Sequence, residues 1–160
     1  MATFLSTSEN KIDKKGRVSV PSPYRAAIGR AQTSQQSYFE GIAVYPALGV
    51  PCLEGSDLAF FDDIARRIYE RNSVVSQNNA RLARRLLGTV EQLSFDPEGR
   101  VVIPAKLRGY AQITDKVTFV GMGPKFQIWN PEILAQHDLG ADDDLLAEAE
   151  ALGPLFEGGF

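Results

Sequence analysis

The sequence predicts an α+β fold in which two copies of one small β unit interlock as an intramolecular pseudo-dimeric barrel, with a helical connector and C-terminal helices. The stretch DKKGRVSVP, which begins at Asp13, returns 83 positions later as DPEGRVVIP. Each copy leads to a second extended apolar run, GIAVYP from Gly41 and KFQIWNP from Lys125. Between the copies, apolar residues recur at helical spacing. A unit used twice around a connector is the simplest reading of these patterns.

Each copy begins with a turn that its residues specify. Aspartate at the first and glycine at the fourth position of DKKG and DPEG are typical of a type I turn. Gly16 and Gly99 let the backbone bend tightly and approach another surface closely. The β-rich runs that follow, from Arg17 and Arg100, predict that each turn caps a hairpin.

Further signals complete each unit. Ser22 as N-cap and Pro23 at the first position predict a short helix that Gly29 closes. Pro104–Gly109 predicts a shorter equivalent in the second copy. The GMGP stretch from Gly121 predicts the turn of a second hairpin.

The connector is predicted to be helical and basic. Ser56 is a suitable N-cap for a first helix, and a second helix is predicted to end at Gly88. The segment carries six arginines, which are Arg66, Arg67, Arg71, Arg81, Arg84 and Arg85. They have two readings, contact with DNA or pairing with acidic residues of the same helices, and pairing is the prediction for most of them. A later helix is predicted with Asn130 as N-cap and Pro131 behind it.

These patterns divide the chain into four segments. The first β unit is placed at 7–54, the basic linker at 55–88, the second β unit at 89–132 and an acidic helical or disordered tail at 133–160. A unit of about 40 to 50 residues buries too little apolar surface to be secure alone. Its short strands also leave open edges. We therefore expect the strands of one copy to complete the sheet of the other.

Composition narrows the class of protein. With 44% hydrophobic and 23% charged residues, the chain has no apolar run near the roughly 18 residues that a membrane span needs. Its first ten residues do not read as a secretory signal. The single cysteine, Cys52, has no internal disulfide partner. These features predict a cytoplasmic protein.

Charge is distributed unevenly along the chain, although the net charge is only −3. Residues 1–130 hold all 17 Lys and Arg against 12 acidic residues, whereas residues 131–160 hold eight acidic residues and no Lys or Arg. This division predicts that residues 1–130 can bind an anionic partner. The acidic tail is predicted either to be solvated or to compete with that partner for the basic surface.

Two stretches of the sequence carry a resemblance. NKIDKKGRVSVP and DPEGRVVIP, with ARRLLG just ahead of the second, resemble the MraZ family of bacterial proteins, which are built from two domains of the SpoVT/AbrB swapped-hairpin type. The resemblance implies a transcriptional regulator of the division and cell-wall gene cluster that binds promoter direct repeats in double-stranded DNA. It also implies association with the nucleoid and assembly into rings.

The D-x-x-x-R turns contain the candidate DNA-binding residues. Arginine suits bidentate recognition of phosphate or of guanine O6 and N7, which makes Arg17 and Arg100 the first candidates. The resemblance points to the same two positions. Asp13 and Asp96 are expected to orient the guanidinium groups or to accept hydrogen bonds from turn amides. A surface ion pair that only fixes a hairpin is the simpler reading of one such turn, but two copies beside a basic linker favour DNA contact.

The two turns differ in charge. Lys14 and Lys15 accompany Arg17 in the first turn, whereas Glu98 accompanies Arg100 in the second. We therefore expect the first unit to make the main DNA contacts, and the second chiefly to complete the barrel and the oligomer.

Other functional classes have weaker support. His137 and Cys52 lie in no recognisable triad or metal spacing, and GMG at 121–123 lacks the rest of a phosphate-binding fingerprint. Three adjacent carboxylates, Asp142 to Asp144, are more often solvated than metal-binding. No enzyme activity, cofactor, metal or small-molecule substrate is expected. The alternative is an antitoxin-type interaction module that holds a protein partner through the tail segment LLAEAEALGPLF.

Overall fold

The computed structural model describes residues 2–32, 39–70, 77–140 and 142–153. Strands and helices alternate irregularly along these ranges, which confirms the α+β class. The strands are β1 (Thr7–Lys11), β2 (Arg17–Ser19), β3 (Gly41–Pro46), β4 (Leu53–Ser56), β5 (Glu91–Ser94), β6 (Arg100–Val102), β7 (Lys116–Gly121) and β8 (Phe126–Trp129). The helices are α1 (Ser22–Gln32), α2 (Leu58–Glu70), α3 (Gln77–Leu86), α4 (Ala105–Tyr110), α5 (Pro131–His137) and α6 (Asp142–Glu150).

The main sheet has six strands in the order β1-β7-β8-β4-β3-β5. Strand β1 of the first copy pairs with β7 of the second, and β5 of the second copy pairs with β3 of the first. The equivalent strands β4 and β8 pair with each other at the centre. All these pairings are antiparallel, and three of the five join strands from different copies. A closed barrel of the SpoVT/AbrB type and the four domain boundaries stay predictions.

A second sheet contains only β2 and β6, which are again equivalent strands of the two copies. Val18 lies opposite Val101, and both side chains are 1% exposed. Because side chains alternate along a strand, the neighbours of these valines lie on the outer face. The two-stranded ribbon therefore buries one face and exposes the other.

An aromatic cluster joins the N-terminal segment to the second copy. Phe4 is fully buried, and its ring centroid lies 5.4 Å from that of Tyr24 and 4.9 Å from that of Phe126. The Phe4 backbone exchanges two hydrogen bonds with Gly123 in the β7–β8 turn. The sequence patterns predict no structural role for these first residues, but they close one end of the core.

Two predicted helix boundaries are wrong. Helix α1 continues past Gly29 to Gln32, because a glycine within a helix is tolerated when the following residues pack. Asp57, and not Ser56, caps α2, since its Oδ1 accepts a hydrogen bond from the Phe60 amide at 3.1 Å. Ser56 ends β4, and its hydroxyl donates to the Pro124 carbonyl at 2.6 Å.

Other local predictions are confirmed. Helix α4 is shorter than α1, with 6 residues against 11. The Asn130 side chain caps α5 by accepting from the Glu132 amide at 2.9 Å. Strands β7 and β8 form the hairpin predicted around the GMGP turn.

Two of the five connector arginines that the structure describes form ion pairs with acidic residues, so the prediction of such pairing for most of them is wrong. Arg66 and Arg67 pair with Asp63 on α2, as predicted. Arg85 donates to the carbonyls of Pro46 and Ala47 at 2.6 and 2.8 Å. Arg81 and Arg84 are exposed and form no ion pair with the described part of the chain. Arg71 lies outside the described residues.

The C-terminal region has two helices of different character. Helix α5 packs Ile133 and Leu134 beside Trp129, whereas α6 has no buried residue. The tail residues Leu155 and Phe156 lie outside the described ranges. Among the helices that the structure describes, none is long and apolar enough to cross a membrane.

Candidate nucleic-acid interface

The two D-x-x-x-R turns have the same backbone geometry. The Asp13 carbonyl accepts from the Gly16 amide at 3.0 Å, and the Asp13 amide donates to the Arg17 carbonyl at 3.1 Å. The corresponding distances in the second turn, from Asp96 to Arg100, are 3.0 and 2.8 Å. A type I turn followed by a glycine at positive φ is a common three-residue hairpin loop. Gly16 and Gly99 supply that conformation, with φ of +88° and +80°.

The aspartate side chains hold both the turns and the arginines. Oδ1 of Asp13 accepts from the backbone amides of Lys15 and Arg17 at 3.0 and 2.9 Å, and Oδ2 accepts from Arg17 Nε at 2.6 Å. Asp96 repeats the set, with 2.9 Å to the amides of Glu98 and Arg100 and 2.8 Å to Arg100 Nε. Both predicted roles of the aspartates therefore occur together.

These hydrogen bonds favour the charged form of each carboxylate. The backbone hydrogen bond from Arg17 is the largest cause that lowers the pKa of Asp13 below its ordinary value, and Arg100 does the same to Asp96. The hydrogen bond to Asp96 in turn raises the pKa of Arg100. Both turns are therefore ion pairs at neutral pH.

The register of the β2–β6 ribbon brings the two arginines to one face. Arg17 lies opposite Val102, and Arg100 lies opposite Ser19. Paired residues in an antiparallel ladder share a face, so all four side chains lie on the face that Val18 does not occupy. Arg17 and Arg100 are diagonal neighbours across the ribbon, an arrangement in which the Cα atoms lie about 7–8 Å apart. Their side chains are 40% and 33% exposed.

The contact with aspartate leaves part of each guanidinium available. Arg17 uses Nε for Asp13, and its two terminal nitrogens make no hydrogen bond within the described residues. Arg100 also uses Nε, but its Nη2 lies 3.5 Å from Oε2 of Glu98. The first turn has the exposed Lys14 and Lys15 at the corresponding positions. The charge difference between the turns is thus also a difference in how freely the two arginines present their terminal nitrogens.

Two further arginines reach the turns from the opposite copy. Arg25 on α1 donates from Nε to Val20, and a Cβ added at Gly99 would lie 2.7 Å from its guanidinium carbon. Arg108 on α4 donates from Nε to Ile103 and lies beside Gly16 in the same way. Sequence reasoning did not select this pair as site residues. The sequence does indicate that the two arginines are equivalent, because the repeat aligns Arg25 with Arg108.

The other candidate residues are not assembled into a reactive site. Burial raises the pKa of the Cys52 thiol to about 12, which leaves it unreactive at neutral pH. His137 is exposed, with its ring centroid 5.2 Å from that of Trp129. Within the ranges that the structure describes, no group of three or more His, Cys, Asp and Glu residues is arranged to hold a metal ion.

Comparison with known proteins gives the same family that the turns suggest. A family model described as "MraZ protein, putative antitoxin-like" matches residues 86–137. A relative from Azorhizobium caulinodans, named Transcriptional regulator MraZ, is 37% identical over 153 residues, which is 96% of this chain and 93% of the relative.

Two more relatives bear the same name. The protein from Xanthobacter autotrophicus is 37% identical over 157 residues, covering 98% of this chain and 96% of its own. The protein from Rickettsia bellii is 41% identical over 133 residues, covering 82% and 84%. Identity at this level over nearly the whole length shows the family. The chain belongs to the MraZ family of transcriptional regulators.

Proposed function

We propose that this protein is a sequence-specific DNA-binding regulator that reads promoter direct repeats of the division and cell-wall gene cluster. The observation that carries the proposal is the pair of D-x-x-x-R turns, whose aspartates fix two arginines on the exposed face of one β ribbon. A two-stranded ribbon is narrow enough to enter the major groove of B-form DNA. The names of the relatives, Transcriptional regulator MraZ, agree with this function.

Different side chains on the ribbon face are proposed to contact DNA bases and DNA phosphates. The free terminal nitrogens of Arg17 match guanine O6 and N7, which accept hydrogen bonds from a planar fork. Lys14 and Lys15 flank Arg17 and would meet phosphates, which give affinity without sequence information. Arg25 and Arg108, each beside the turn of the other copy, add positive charge at both ends of the ribbon.

The first turn is proposed to make the main contact. In the second turn, Glu98 forms an ion pair with the guanidinium of Arg100, the group that would have to contact DNA. The first turn has Lys14 and Lys15 and no such carboxylate. Bringing a carboxylate to the phosphate backbone is also unfavourable. The second turn would then chiefly complete the sheet, the proposed interlocked barrel and the oligomer.

Self-association accounts for the proposed use of direct repeats. One chain offers few cations, so its binding would be weak and would fall steeply with salt. Linked chains convert later contacts into intramolecular ones and increase avidity. A head-to-tail ring presents the ribbon in the same sense at regular intervals, which suits direct repeats better than a two-fold dimer does. Such a regulator would work in the cytoplasm at the nucleoid.

Binding to a duplex that carries the protein's own upstream region, beside a scrambled duplex, tests the proposal. Three variants are compared with the original protein at two salt concentrations. Arg17→Ala removes the guanidinium, Arg17→Lys keeps the charge without the fork, and Arg66→Ala removes an exposed arginine of α2 that already pairs with Asp63. We expect Arg17→Ala to lose roughly 1–3 kcal/mol, a factor of about 5 to 150, on the upstream duplex.

The Arg17→Lys variant distinguishes sequence-specific base contact from nonspecific contact with phosphates. Arg17→Lys should approach Arg17→Ala on the upstream duplex but retain more affinity for the scrambled one, and Arg66→Ala should match the original protein. Equal weak binding to both duplexes that Arg17→Ala leaves unchanged would refute the proposal. Arg100→Ala addresses the division between the turns. A loss as large as that of Arg17→Ala, with the oligomer intact, would show that both turns read DNA equally.

A further inference from the structure

The connector carries a basic groove that the DNA-binding ribbon does not use. The groove has a volume of about 680 Å³ and runs along α3. Its lining consists of Leu48, Asn78, Arg81, Leu82, Arg84, Arg85 and Thr89. These residues include three arginines and no carboxylate. Arg85 donates to backbone carbonyls, which are neutral, and none of the three arginines forms an ion pair with the described residues.

The groove lining also includes two leucines. Leu48, in the loop between β3 and β4, is 56% exposed. Leu82, on α3, is half-buried. Phosphate groups of DNA would meet the arginines but would leave these leucines in water. The lining therefore suits a partner that combines apolar side chains with negative charge.

Helix α6 has that combination on its surface. Leu145 and Leu146 are 64% and 47% exposed and lie on one side of the helix with Ala149, at helical spacing. Glu148 and Glu150 flank Ala149 on either side, and three aspartates form the first turn. No carboxylate of α6 takes part in an ion pair with the described residues. No Lys or Arg follows residue 130.

We propose that the leucine face of α6 docks into the α3 groove of a second copy of this chain. The two surfaces are complementary in charge, each includes at least one exposed leucine, and α6 stays exposed in the part of the chain that the structure describes. A helix laid into a groove by anchors at this spacing is a common mode of recognition. The inference rests on the self-association proposed above and names the contact that produces it.

Two charge-reversed variants of the full chain test the docking. Arg81→Glu with Arg84→Glu makes the groove acidic. Glu148→Arg with Glu150→Arg makes the C-terminal end of α6 basic, which the helix dipole favours, so the helix itself is retained. Lys106→Glu with Lys116→Glu carries the same charge change as the groove variant on exposed residues elsewhere. Masses are measured by light scattering after size exclusion, at low salt and one protein concentration.

Mixing the two reversed variants gives the decisive result. We expect each alone to lose the high-mass species, whereas the control keeps it. A mixture should regain that species, because the acidic α6 of the first variant fits the basic groove of the second, and the basic α6 of the second fits the acidic groove of the first. Failure of the mixture to recover would overturn docking between copies, and so would either variant alone assembling like the original protein.

A further chain carrying all four substitutions distinguishes the remaining case. If this chain elutes from size exclusion at the same volume as the original protein while the mixture of variants does not regain the high-mass species, α6 docks within its own chain. The proposal is then overturned in favour of that contact. Failure of this docking is separable from failure of DNA binding, because Arg17→Ala leaves both surfaces intact. Loss of DNA discrimination in Arg17→Ala, without recovery of the mixture, would retain the DNA function and remove only this interface.

Discussion

At the scale of single residues, the buried carboxylate Glu54 is a junction between the two copies. It is 6% exposed and lies opposite Gln127 in the β4–β8 pairing. It accepts hydrogen bonds from the Tyr45 hydroxyl at 2.5 Å, from Lys125 Nζ at 2.9 Å and from Gln127 Nε2 at 2.9 Å. Burial alone would raise the pKa of Glu54, but these donors together hold it below its ordinary value.

Glu54→Gln is therefore expected to destabilise the protein in a pH-dependent way. A carboxyl group whose folded pKa is lowered contributes stability above its unfolded pKa, near 4.5, and that contribution disappears as the pH falls through the folded value. We expect a loss of about 1–3 kcal/mol in the free energy of unfolding at pH 7, because the Lys125 ammonium loses its charged partner. The difference from the original protein should shrink below pH 4.5.

Urea unfolding at pH 7, 5 and 3.5, at one protein concentration, measures this difference. Glu91→Gln is the matched control, because Glu91 is exposed on β5 and forms no ion pair with the described residues. A Glu54→Gln penalty that stays constant from pH 7 to 3.5 would mean that the charge of Glu54 contributes nothing and that only its shape matters.

At the scale of single elements, the D-x-x-x-R turn depends on its glycine for two reasons. Gly16 has a φ of +88°, and a Cβ there would lie 2.4 Å from the Ile103 carbonyl oxygen of the opposite copy. Gly16→Ala is therefore expected to cost about 2–4 kcal/mol of stability through strain and crowding. Gly29 lies inside α1 with nothing within 4 Å of an added Cβ. Gly29→Ala should instead stabilise the protein by about 0.5–1 kcal/mol.

Thermal or urea unfolding of the two alanine variants compares them directly. The pair contains one chemical change in two backbone settings, so any general effect of an added methyl group cancels. Equal stabilities for Gly16→Ala and Gly29→Ala would contradict the close approach between the first turn and the end of β6.

The elements show how far the sequence alone could lead. Turn chemistry has a short range, so Asp13, Gly16 and Arg17 revealed the first turn without any knowledge of the fold. Helix ends depend on packing as well as on local signals, which is why α1 runs past Gly29 and Asp57 replaces Ser56 as the cap of α2. The role of Phe4 was not predictable, because its partners Tyr24 and Phe126 are distant in sequence.

The candidate site divides in the same way. The bonds between Asp13 and Arg17 span four residues and followed from the motif. The positions of Arg25 and Arg108 depend on how the copies cross, and no local signal specifies that crossing. The repeat marked them as equivalent to each other without showing which turn each would reach.

At the scale of the whole molecule, the two copies are mutually dependent. The central order β1-β7-β8-β4-β3-β5 joins the copies at β1–β7, β8–β4 and β3–β5, and the ribbon adds β2–β6. Separation would expose three strand edges of the main sheet in each copy, and the apolar face that carries Val18 and Val101. We therefore expect that neither copy alone buries enough surface to fold as a monomer.

A cut between residues 70 and 77 tests this dependence. Fragments 1–72 and 73–160, purified separately, should each be unfolded or self-associated, because a single copy can satisfy its open edges only by pairing with another chain. Mixing them should restore one complex that contains both, with the amide dispersion of the intact protein in a ¹⁵N–¹H correlation spectrum. Light scattering determines the masses. A fragment that is both monomeric and well dispersed would mean that one copy holds a core of its own, and that the pairing between copies assembles two stable units instead of creating one.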